Sequence, residues 1–497
     1  MAWLGNRTSH LLAGFSAGLL IALAVAGFNG CSSQPPLEVW HTERLNLEFT
    51  ADQSDDEIVN YNKYIILEDK LFNQLDEKVY TKTETGPDQL LNRYSPGSAA
   101  DPRGLDPNWN RSFELEGNGR GGVLLLHGMS DSPYSLRSLG ETLNRNGFHV
   151  IGLRLPGHGT APSGLKYVHW RDMAAAVALA MEHLYSGLGS ASASLHIIGY
   201  STGASLALDF TLNALEGKYP SIPDSLVLIS PAIRVHGAAR FAGVKSSLSA
   251  LPGLENLAWL TVMDEFDPYK YNSFATNAGS QVHNVTVDVD RRIQGLNRQP
   301  SIAREFPPVL VLKSTVDSTV TTDAVVDNLL NRLPVDRNEL VLFDINRQAA
   351  IKSTLLVSDP GPLTNRLLAE NDLPFAITFV TNTNAYSNAV EARFKAPHSS
   401  DPLSAEPLGL EWSRGVVSLS HVALPFPPDD PLYGKTPAGE QEHIFLGDMA
   451  LKGERGLLKV SEAWLLRMRY NPFYSYLEKR VLDWFEEPAG MKRFDSE

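Results

Sequence analysis

The chain is poor in cysteine and in positive charge, and both shortages restrict its function. Its single cysteine, Cys31, has no partner for an intramolecular disulfide. Lys and Arg number 43 against 57 Asp and Glu, so the formal net charge is -14. Sequence-independent binding of nucleic acid needs clustered cations that neutralise phosphates. We therefore expect no nucleic-acid partner and interpret the acidity as a solvated surface.

The sequence also lacks the patterns of metal and phosphate sites. No cluster of His, Cys, Asp or Glu has metal-ligand spacing, and no glycine-rich phosphate loop with a lysine is present. We therefore expect no metal and no cofactor. The composition, 43% hydrophobic and 20% charged over 497 residues, is that of a globular protein with a large core.

Long apolar runs are missing except near the N-terminus, where residues 11–28 carry no charge. Arg7 precedes this run and Cys31 follows it, which resembles a bacterial secretion signal with a lipoprotein acylation site at Cys31. An uncleaved signal anchor is the alternative, because 18 apolar residues are just enough to span a bilayer. Either way, we expect residues 1–31 to tether an extracytoplasmic protein to a membrane.

The pentapeptide Gly-Tyr-Ser-Thr-Gly at 199–203 is the strongest candidate for chemistry. It follows the apolar run 194–198 and precedes the helix-like stretch 204–215. A strand, a Gly-x-Ser-x-Gly turn and a helix are the context of a nucleophile elbow, in which a strained turn exposes the serine hydroxyl. The context predicts that Ser201 is a catalytic nucleophile.

Two similar patterns lack that context. Residues 14–18 also match Gly-x-Ser-x-Gly, but they lie within the N-terminal apolar run and have no strand before them. Ser163 begins a Ser-x-x-Lys sequence of the kind found in penicillin-binding proteins, but the companion motifs are absent. We treat both matches as chance.

Strand and helix signals alternate through the middle of the chain. They indicate strands near 112–116, 123–126, 148–155, 195–199 and 225–230, with helices at 135–146, 170–185 and 204–215. Such alternation predicts an α/β fold with a mostly parallel sheet flanked by helices. Function in such a sheet collects at the carboxyl ends of the strands, where the sequence His-Gly-Met at 127–129 and Ser201 both fall.

Four motifs in one order resemble the α/β-hydrolase family, specifically its monoacylglycerol-lipase, lysophospholipase and serine-aminopeptidase-like branch. They are LHGM at 126–129, PGHG at 156–159, the elbow at 199–203 and VDSTV at 316–320. The resemblance implies an α/β-hydrolase fold and a Ser, acid and His triad in that chain order. It covers 116–233 and 306–345 well and the tail only in patches.

The resemblance also implies the oxyanion hole and the acid. The backbone N–H groups of Met129 and Thr202 stand where the family holds the oxyanion. His127 and His158 are then structural. Asp317, after the apolar run 309–312, takes the place of the triad acid. A helix cap is the alternative role for Asp317, and Asp344 is the second candidate acid.

The base must come from the late histidines His398, His421 and His443. His421 ends the strand-like run 416–420 and precedes a proline-rich loop, which suits a residue presented at a sheet edge. We therefore choose His421. Because Asp317 and His421 are 104 positions apart, more than the family usually has, an insertion is expected between them.

A helix is predicted at about 55–80, from a capping box formed by Ser54 and Glu57 and from one apolar face. The segment 234–305 occupies the place of the family's lid, and its apolar residues, which include Leu248, Leu251, Leu254, Trp259 and Leu260, would either face substrate or form a lid core. The predicted units are a signal or anchor at 1–31, an N-terminal extension at 32–115, the hydrolase core at 116–233, the lid at 234–305, the second part of the core at 306–345, an insertion at 346–410, and the catalytic histidine loop with a C-terminal helix at 411–490.

The sequence therefore predicts a membrane-tethered serine hydrolase that cleaves carboxylic esters through an acyl-enzyme, with a small ester or lipid-like substrate. The same resemblance covers serine aminopeptidase-like amide hydrolases, because fold and triad do not determine the leaving group. A non-catalytic surface lipoprotein that retains the fold is a third hypothesis. Nothing in the sequence indicates an oligomeric state.

Overall fold

A ten-stranded sheet forms the centre of the protein. The computed structural model describes residues 35–487 apart from 55, 189–192, 235–248, 250–254, 297, 318–319, 335–336, 345–360, 385, 401–402, 413–418, 438–442 and 448–467. The strands are β1 Phe113–Leu115, β2 Gly121–Leu126, β3 Phe148–Leu153, β4 Ser194–Tyr200, β5 Ser225–Ile229, β6 Trp259–Thr261, β7 Phe274–Ala275, β8 Val309–Ser314, β9 Glu339–Phe343, β10 Ala376–Asn382, β11 Ala389–Lys395 and β12 Ser404–Glu411.

The strands of the main sheet run in the order β1-β3-β2-β4-β5-β8-β9-β10-β11-β12. The neighbours from β3 to β10 are parallel, whereas β1, β11 and β12 join antiparallel. Strands β6 and β7 form a separate antiparallel pair. The expected mostly parallel α/β sheet is therefore confirmed, and its carboxyl-terminal edge collects the loops after β2, β4 and β8.

Helices cover both faces of this sheet. They are α1 Val39–Thr42, α2 Tyr61–Lys78, α3 Tyr134–Arg145, α4 Trp170–Gly187, α5 Thr202–Leu215, α6 Thr276–Leu296, α7 Pro300–Glu305, α8 Thr322–Ala324, α9 Gly361–Ala369 and α10 Tyr474–Glu486. Along β2, Leu124 and Leu126 belong to the core under α4, α5 and α6, while Val123 and Leu125 belong to the core under α3 and α10. Because both faces of the strand are covered, the sequence shows a continuous apolar run instead of alternation.

The first long helix begins later than the sequence indicates. Its N-cap is Asn60, whose side chain accepts a hydrogen bond from Lys63 N–H, and Ser54 instead ends a short 3₁₀ turn. Tyr61 and Tyr64 of α2 belong to the same core cluster as the sheet. The predicted N-terminal extension thus packs directly on the hydrolase core.

The segment predicted as a lid contains the β6–β7 pair and the long helix α6. Trp259 is fully buried, whereas Leu260 is 45% exposed. Leu248, Leu251 and Leu254 lie outside the described residues. Among the apolar residues predicted for this segment, Trp259 therefore forms part of a core and Leu260 faces outward.

The insertion before His421 extends the main sheet. Strand β10 pairs parallel with β9, and β11 and β12 add antiparallel strands out to the edge. The residues of β12 are mostly exposed and include no apolar run. The chain must therefore return from this edge before residue 421.

The N-terminal targeting segment, with residues 11–28 and Cys31, lies outside the described residues. In the part of the chain that the structure covers, no helix combines the length and the apolar character needed to cross a bilayer.

Candidate active site

Ser201 lies between β4 and α5 in a strained backbone conformation. Its φ is 54° and its ψ is -114°, which is rarely adopted by a residue with a side chain. Its N–H donates to the Ile229 carbonyl at 2.9 Å, and its own carbonyl accepts from Ala204 and Ala232 N–H, each at 3.1 Å. These bonds from two elements hold the strained turn that the elbow motif predicts.

The two glycines of the pentapeptide are needed for close approach. A Cβ on Gly203 would lie 2.1 Å from the Leu126 carbonyl oxygen, and one on Gly199 would lie 2.5 Å from Ala204 Cα. No side chain fits at these distances. The glycines therefore let α5 start directly against β2 and β4.

Asp317 follows the central strand β8, and its side chain is fully buried. One carboxylate oxygen, Oδ2, accepts from Lys313 Nζ at 2.7 Å, and the other, Oδ1, accepts from Val320 N–H at 3.1 Å. Burial by itself would raise the pKa of Asp317, but the charges of Lys313 and His421 and these hydrogen bonds lower it below its usual value. Asp317 is therefore ionised at neutral pH.

His421 begins a short 3₁₀ turn, His421–Ala423, and its side chain is 13% exposed. Its Nδ1 lies 3.6 Å from Asp317 Oδ1, which is within ion-pair range and longer than a hydrogen bond. Its carbonyl accepts from the Tyr200 hydroxyl at 3.3 Å. Tyr200 precedes Ser201, so these contacts bring His421 to the edge of the sheet where both Asp317 and Ser201 lie.

The run 416–420, predicted as strand-like, is described only at its last two residues, which have no regular structure. Residues 413–418 lie outside the described part. His421 is thus presented from a loop and a 3₁₀ turn.

The other candidate histidines have different neighbours. His398 is 41% exposed, its ring pairs with Asp372, and its N–H donates to the Leu373 carbonyl. His443 lies near Gly104, where a Cβ would be 3.2 Å from its ring. Of the three late histidines, all within the described residues, His421 is the one recorded in ion-pair range of Asp317.

Asp344, the second candidate acid, follows β9 and is buried. Its N–H donates to the Val380 carbonyl at 3.0 Å. It therefore stands at the same edge of the sheet as Asp317, one strand further from Ser201.

Both expected oxyanion donors border Ser201. Thr202 is the first residue of α5, so its N–H has no acceptor within the helix and lies at the positive end of the helix dipole. Met129 follows Gly128 in the loop after β2, and a Cβ on Gly128 would lie 3.1 Å from Ser201 Cβ. The two N–H groups thus belong to residues of two different loops, after β2 and after β4.

His127 and His158 hold the Met129 loop. His127 Nε2 accepts from Leu155 N–H at 3.1 Å, and His158 Nε2 lies 3.2 Å from Met129 Sδ. Burial lowers the pKa of His127 well below its usual value and that of His158 to about 4, so both rings are neutral. These contacts agree with the structural role expected for the two rings.

The N-terminal extension supports the same loops, which the sequence analysis did not anticipate. Arg154 is buried and pairs with Glu48 and Glu68 at 2.9 Å each, and its guanidinium also donates to the His158 carbonyl at 3.0 Å. Glu48 further accepts from Gly157 N–H at 2.8 Å. No local pattern links residues so far apart in sequence, so periodicity could not reveal this network.

An ion pair between the buried Asp131 and the partly exposed Lys270 also lies close to the nucleophile. A Cβ placed on Gly128 would lie 3.1 Å from Asp131 Oδ2 and also 3.1 Å from Ser201 Cβ. The other carboxylate oxygen, Asp131 Oδ1, lies 3.2 Å from Lys270 Nζ. Burial raises the pKa of Asp131, although Lys270 opposes the rise. Among the described residues, no group of three or more His, Cys, Asp or Glu could hold a metal ion.

Part of the chain is similar to known proteins. The model of the family described as serine aminopeptidase, S33, matches residues 117–344. A thermostable monoacylglycerol lipase of Bacillus sp. (strain H-257) is 35% identical over 91 residues, which are 18% of this chain and 35% of that protein. The match thus spans about a third of the curated relative's length.

Similar solved structures include two monoacylglycerol lipases. The enzyme of Paleococcus ferrophilus is 20% identical, covers 47% of this chain and 87% of its own, and has a TM-score of 0.36. A soluble variant of monoglyceride lipase from Saccharomyces cerevisiae, in complex with a substrate analog, is 18% identical, covers 46% and 80%, and has a TM-score of 0.34.

The parallel sheet, the strained serine turn after β4 and the family match coincide in one segment. Residues 117–344 therefore combine an α/β-hydrolase fold with similarity to the serine aminopeptidase, S33, family and to a monoacylglycerol lipase.

Proposed function

We propose that this protein is a serine hydrolase that cleaves carboxylic esters through an acyl-enzyme. The observation that carries the proposal is the strained turn at Ser201 beside the pair formed by Asp317 and His421. A serine hydroxyl, a histidine and a carboxylate are the three parts that nucleophilic catalysis by serine needs.

In the proposed mechanism, Ser201 Oγ attacks the ester carbonyl carbon while His421 accepts the hydroxyl proton. Because His421 Nδ1 faces Asp317, the other ring nitrogen, Nε2, is left to accept that proton. The carbonyl oxygen gains negative charge, which the N–H groups of Met129 and Thr202 stabilise.

Collapse of this intermediate releases the alcohol, which takes the proton from His421. Water then repeats the sequence on the acyl-enzyme: His421 accepts a proton from the water, and the acid leaves as Ser201 recovers its hydroxyl. Asp317 stays ionised throughout and stabilises the imidazolium of His421. Its lowered pKa is consistent with this role.

An apolar cluster beside the elbow supports an acyl or other lipid-like substrate. Met129 packs against Ala232, Val282 and Val320, which are buried. Ala232 hydrogen-bonds the Ser201 carbonyl, and Val282 belongs to α6 of the predicted lid. Similarity to a protein named as a monoacylglycerol lipase favours the same substrate class.

The test replaces Ser201 with Ala and assays esters of short and medium acyl chains together with labelling by a fluorophosphonate probe. We expect Ser201→Ala to remove labelling and to lower kcat/KM by at least about a thousandfold. Ser163→Ala, at the Ser-x-x-Lys sequence, is the matched control and should leave both unchanged. Undiminished turnover in a folded Ser201→Ala protein would reject the assignment.

Amide hydrolysis is the second candidate, and it is favoured by the family model that matches 117–344. A panel of esters, lysolipids and amino-acid anilides separates the two reactions, because an aminopeptidase-like enzyme also turns over the anilides, whereas an ester hydrolase turns over only the esters and lysolipids. Failure of the wild-type protein to label with the probe would favour the non-catalytic hypothesis.

We also propose that residues 1–31 export the protein and tether it to a membrane, through a lipid on Cys31 or through an uncleaved anchor. The support is the charge-free run at 11–28 with Arg7 before it. Mass spectrometry of the mature protein decides between the two: an intact Met1 with unmodified Cys31 would exclude the lipid.

A further inference from the structure

Lys313 occupies a position where a charged side chain is rarely found. It lies in β8, a central strand whose neighbours are β5 and β9, and follows four apolar residues. Its side chain is fully buried. Lysine in such a place is tolerated only when its ammonium is paired.

The ammonium of Lys313 is held at the base of the proposed triad. Nζ donates to Asp317 Oδ2 at 2.7 Å and to the Val320 carbonyl. The N–H of Val320 returns a hydrogen bond to Asp317 Oδ1. Lys313 thus binds the Oδ2 atom of Asp317, and the Oδ1 atom faces His421.

We propose that Lys313 is a positioning residue of the triad, which fixes the Asp317 carboxylate with Oδ1 toward His421 and lowers the proton affinity of the Asp317–His421 pair. The inference rests on the proposed roles of Ser201, Asp317 and His421. It adds a fourth residue, a lysine on a strand, to the serine, acid and histidine of the proposed triad.

The electrostatic argument has a definite sign. A carboxylate beside a histidine favours the imidazolium, and a cation beside that carboxylate opposes this effect. The charged groups that face Asp317 are Lys313 of its own strand and His421 of the 3₁₀ turn. Asp344 after β9 is a further carboxylate at this edge of the sheet. Removing the ammonium should therefore make the pair bind its proton more tightly.

Lys395 offers a matched control. It is also buried, at the end of β11, but its ammonium donates to the carbonyls of Leu368 and Glu370 and to no carboxylate in the hydrogen bonds recorded for it. Lys395→Met therefore removes a buried ammonium without changing the surroundings of Asp317.

The experiment compares the wild type, Lys313→Met and Lys395→Met by NMR titration of protein labelled with ¹³C at histidine Cε1, with the His421 signal assigned from His421→Gln. We expect the apparent pKa of His421 to rise by about one unit in Lys313→Met and to stay unchanged in Lys395→Met. The apparent pKa on the acid side of the kcat/KM pH profile should rise by a similar amount in Lys313→Met. At the optimum, kcat should fall at least about tenfold while KM stays within about twofold.

Lys313→Gln keeps a hydrogen-bond donor beside Asp317 without the charge, and it provides the titration if Lys313→Met does not fold. An unchanged His421 titration in a folded Lys313 variant overturns the inference. The titration needs no turnover, so its result is independent of the proposed function. If the wild-type protein neither hydrolyses esters nor labels at Ser201, the proposed function is refuted, whereas the titration still tests the role of Lys313.

Discussion

At the scale of single residues, the three late histidines differ in what surrounds their rings. His421 is mostly buried beside the ionised Asp317, whereas His398 is exposed and pairs with the 86% exposed Asp372. An exposed pair of this kind is worth little and is screened by solvent. The buried pair is the one suited to stabilise an imidazolium during catalysis.

We predict that His421→Ala lowers kcat/KM for a preferred ester by at least about a thousandfold, because Ser201 loses its base. His398→Ala is the control and should stay within about twofold of the wild type. Steady-state kinetics at pH 7.5 make the comparison, with circular dichroism to establish folding. A large loss in His398→Ala alone would transfer the role of base to His398.

The residues of the proposed triad could be predicted from the sequence, but the contact between Lys313 and the triad acid Asp317 could not. Ser201 and Asp317 each follow an apolar strand-like run, and such runs are visible because both faces of the strands are buried. Lys313 did carry a signal, a lysine directly after an apolar run and four positions before the acid. Its meaning depends on burial and on the direction of the Asp317 side chain, which the order of residues does not contain.

At the scale of elements, helix α2 makes ion pairs of two kinds with the rest of the protein. Glu68 is 3% exposed and contacts the buried Arg154. Its neighbour Asp69 is 66% exposed and contacts Arg111 on the surface. The two carboxylates are adjacent in sequence and differ mainly in burial.

We predict that Glu68→Ala lowers the free energy of unfolding by about 3 kcal/mol, because it leaves the Arg154 guanidinium short of a buried partner. Asp69→Ala should cost less than about 1 kcal/mol, as exposed pairs do. Urea denaturation at neutral pH measures both. Equal losses in the two variants would show that the Arg154 network does not anchor α2.

Burial also explains which elements the sequence predicted well. Strands β2 to β5 and the helices between them appear as long apolar or amphipathic stretches, and they lie within a few residues of their expected limits. Strand β12 is mostly exposed at the edge of the sheet and gives no such pattern. The start of α2 was wrong because two candidate caps lie six residues apart, and packing of Tyr61 on the core selects Asn60 over Ser54.

At the scale of the whole molecule, a buried histidine links the sheet to the C-terminal helix. His196 of β4 stacks on Phe485 of α10, with ring centroids 4.0 Å apart, and its Nδ1 lies 2.8 Å from Ser225 Oγ. Burial lowers the pKa of His196 to about 3. The folded protein therefore keeps this ring neutral under conditions where the unfolded chain protonates it.

Because the folded-state pKa lies below the unfolded value of about 6.5, this contribution to stability is complete above pH 6.5 and is lost as the pH falls. At pH 5 the loss from His196 amounts to about 2 kcal/mol. We predict that His196→Gln, although less stable at pH 7.5, loses about 2 kcal/mol less than the wild type between pH 7.5 and pH 5. Urea denaturation at several pH values measures the difference, and parallel curves over that whole interval would contradict the prediction.

Between Asp317 and His421 the chain runs out to the edge strand β12 and returns. This long segment also affects when activity appears during synthesis. The elbow and the Met129 loop are made early, whereas residue 421 is made about a hundred residues after Asp317. The contact between Asp317 and His421 closes a loop of about a hundred residues, and long loops close slowly relative to local contacts. With the proposed triad, a partly synthesised chain carries its nucleophile without a base, and hydrolysis begins only when the segment that carries His421 has folded.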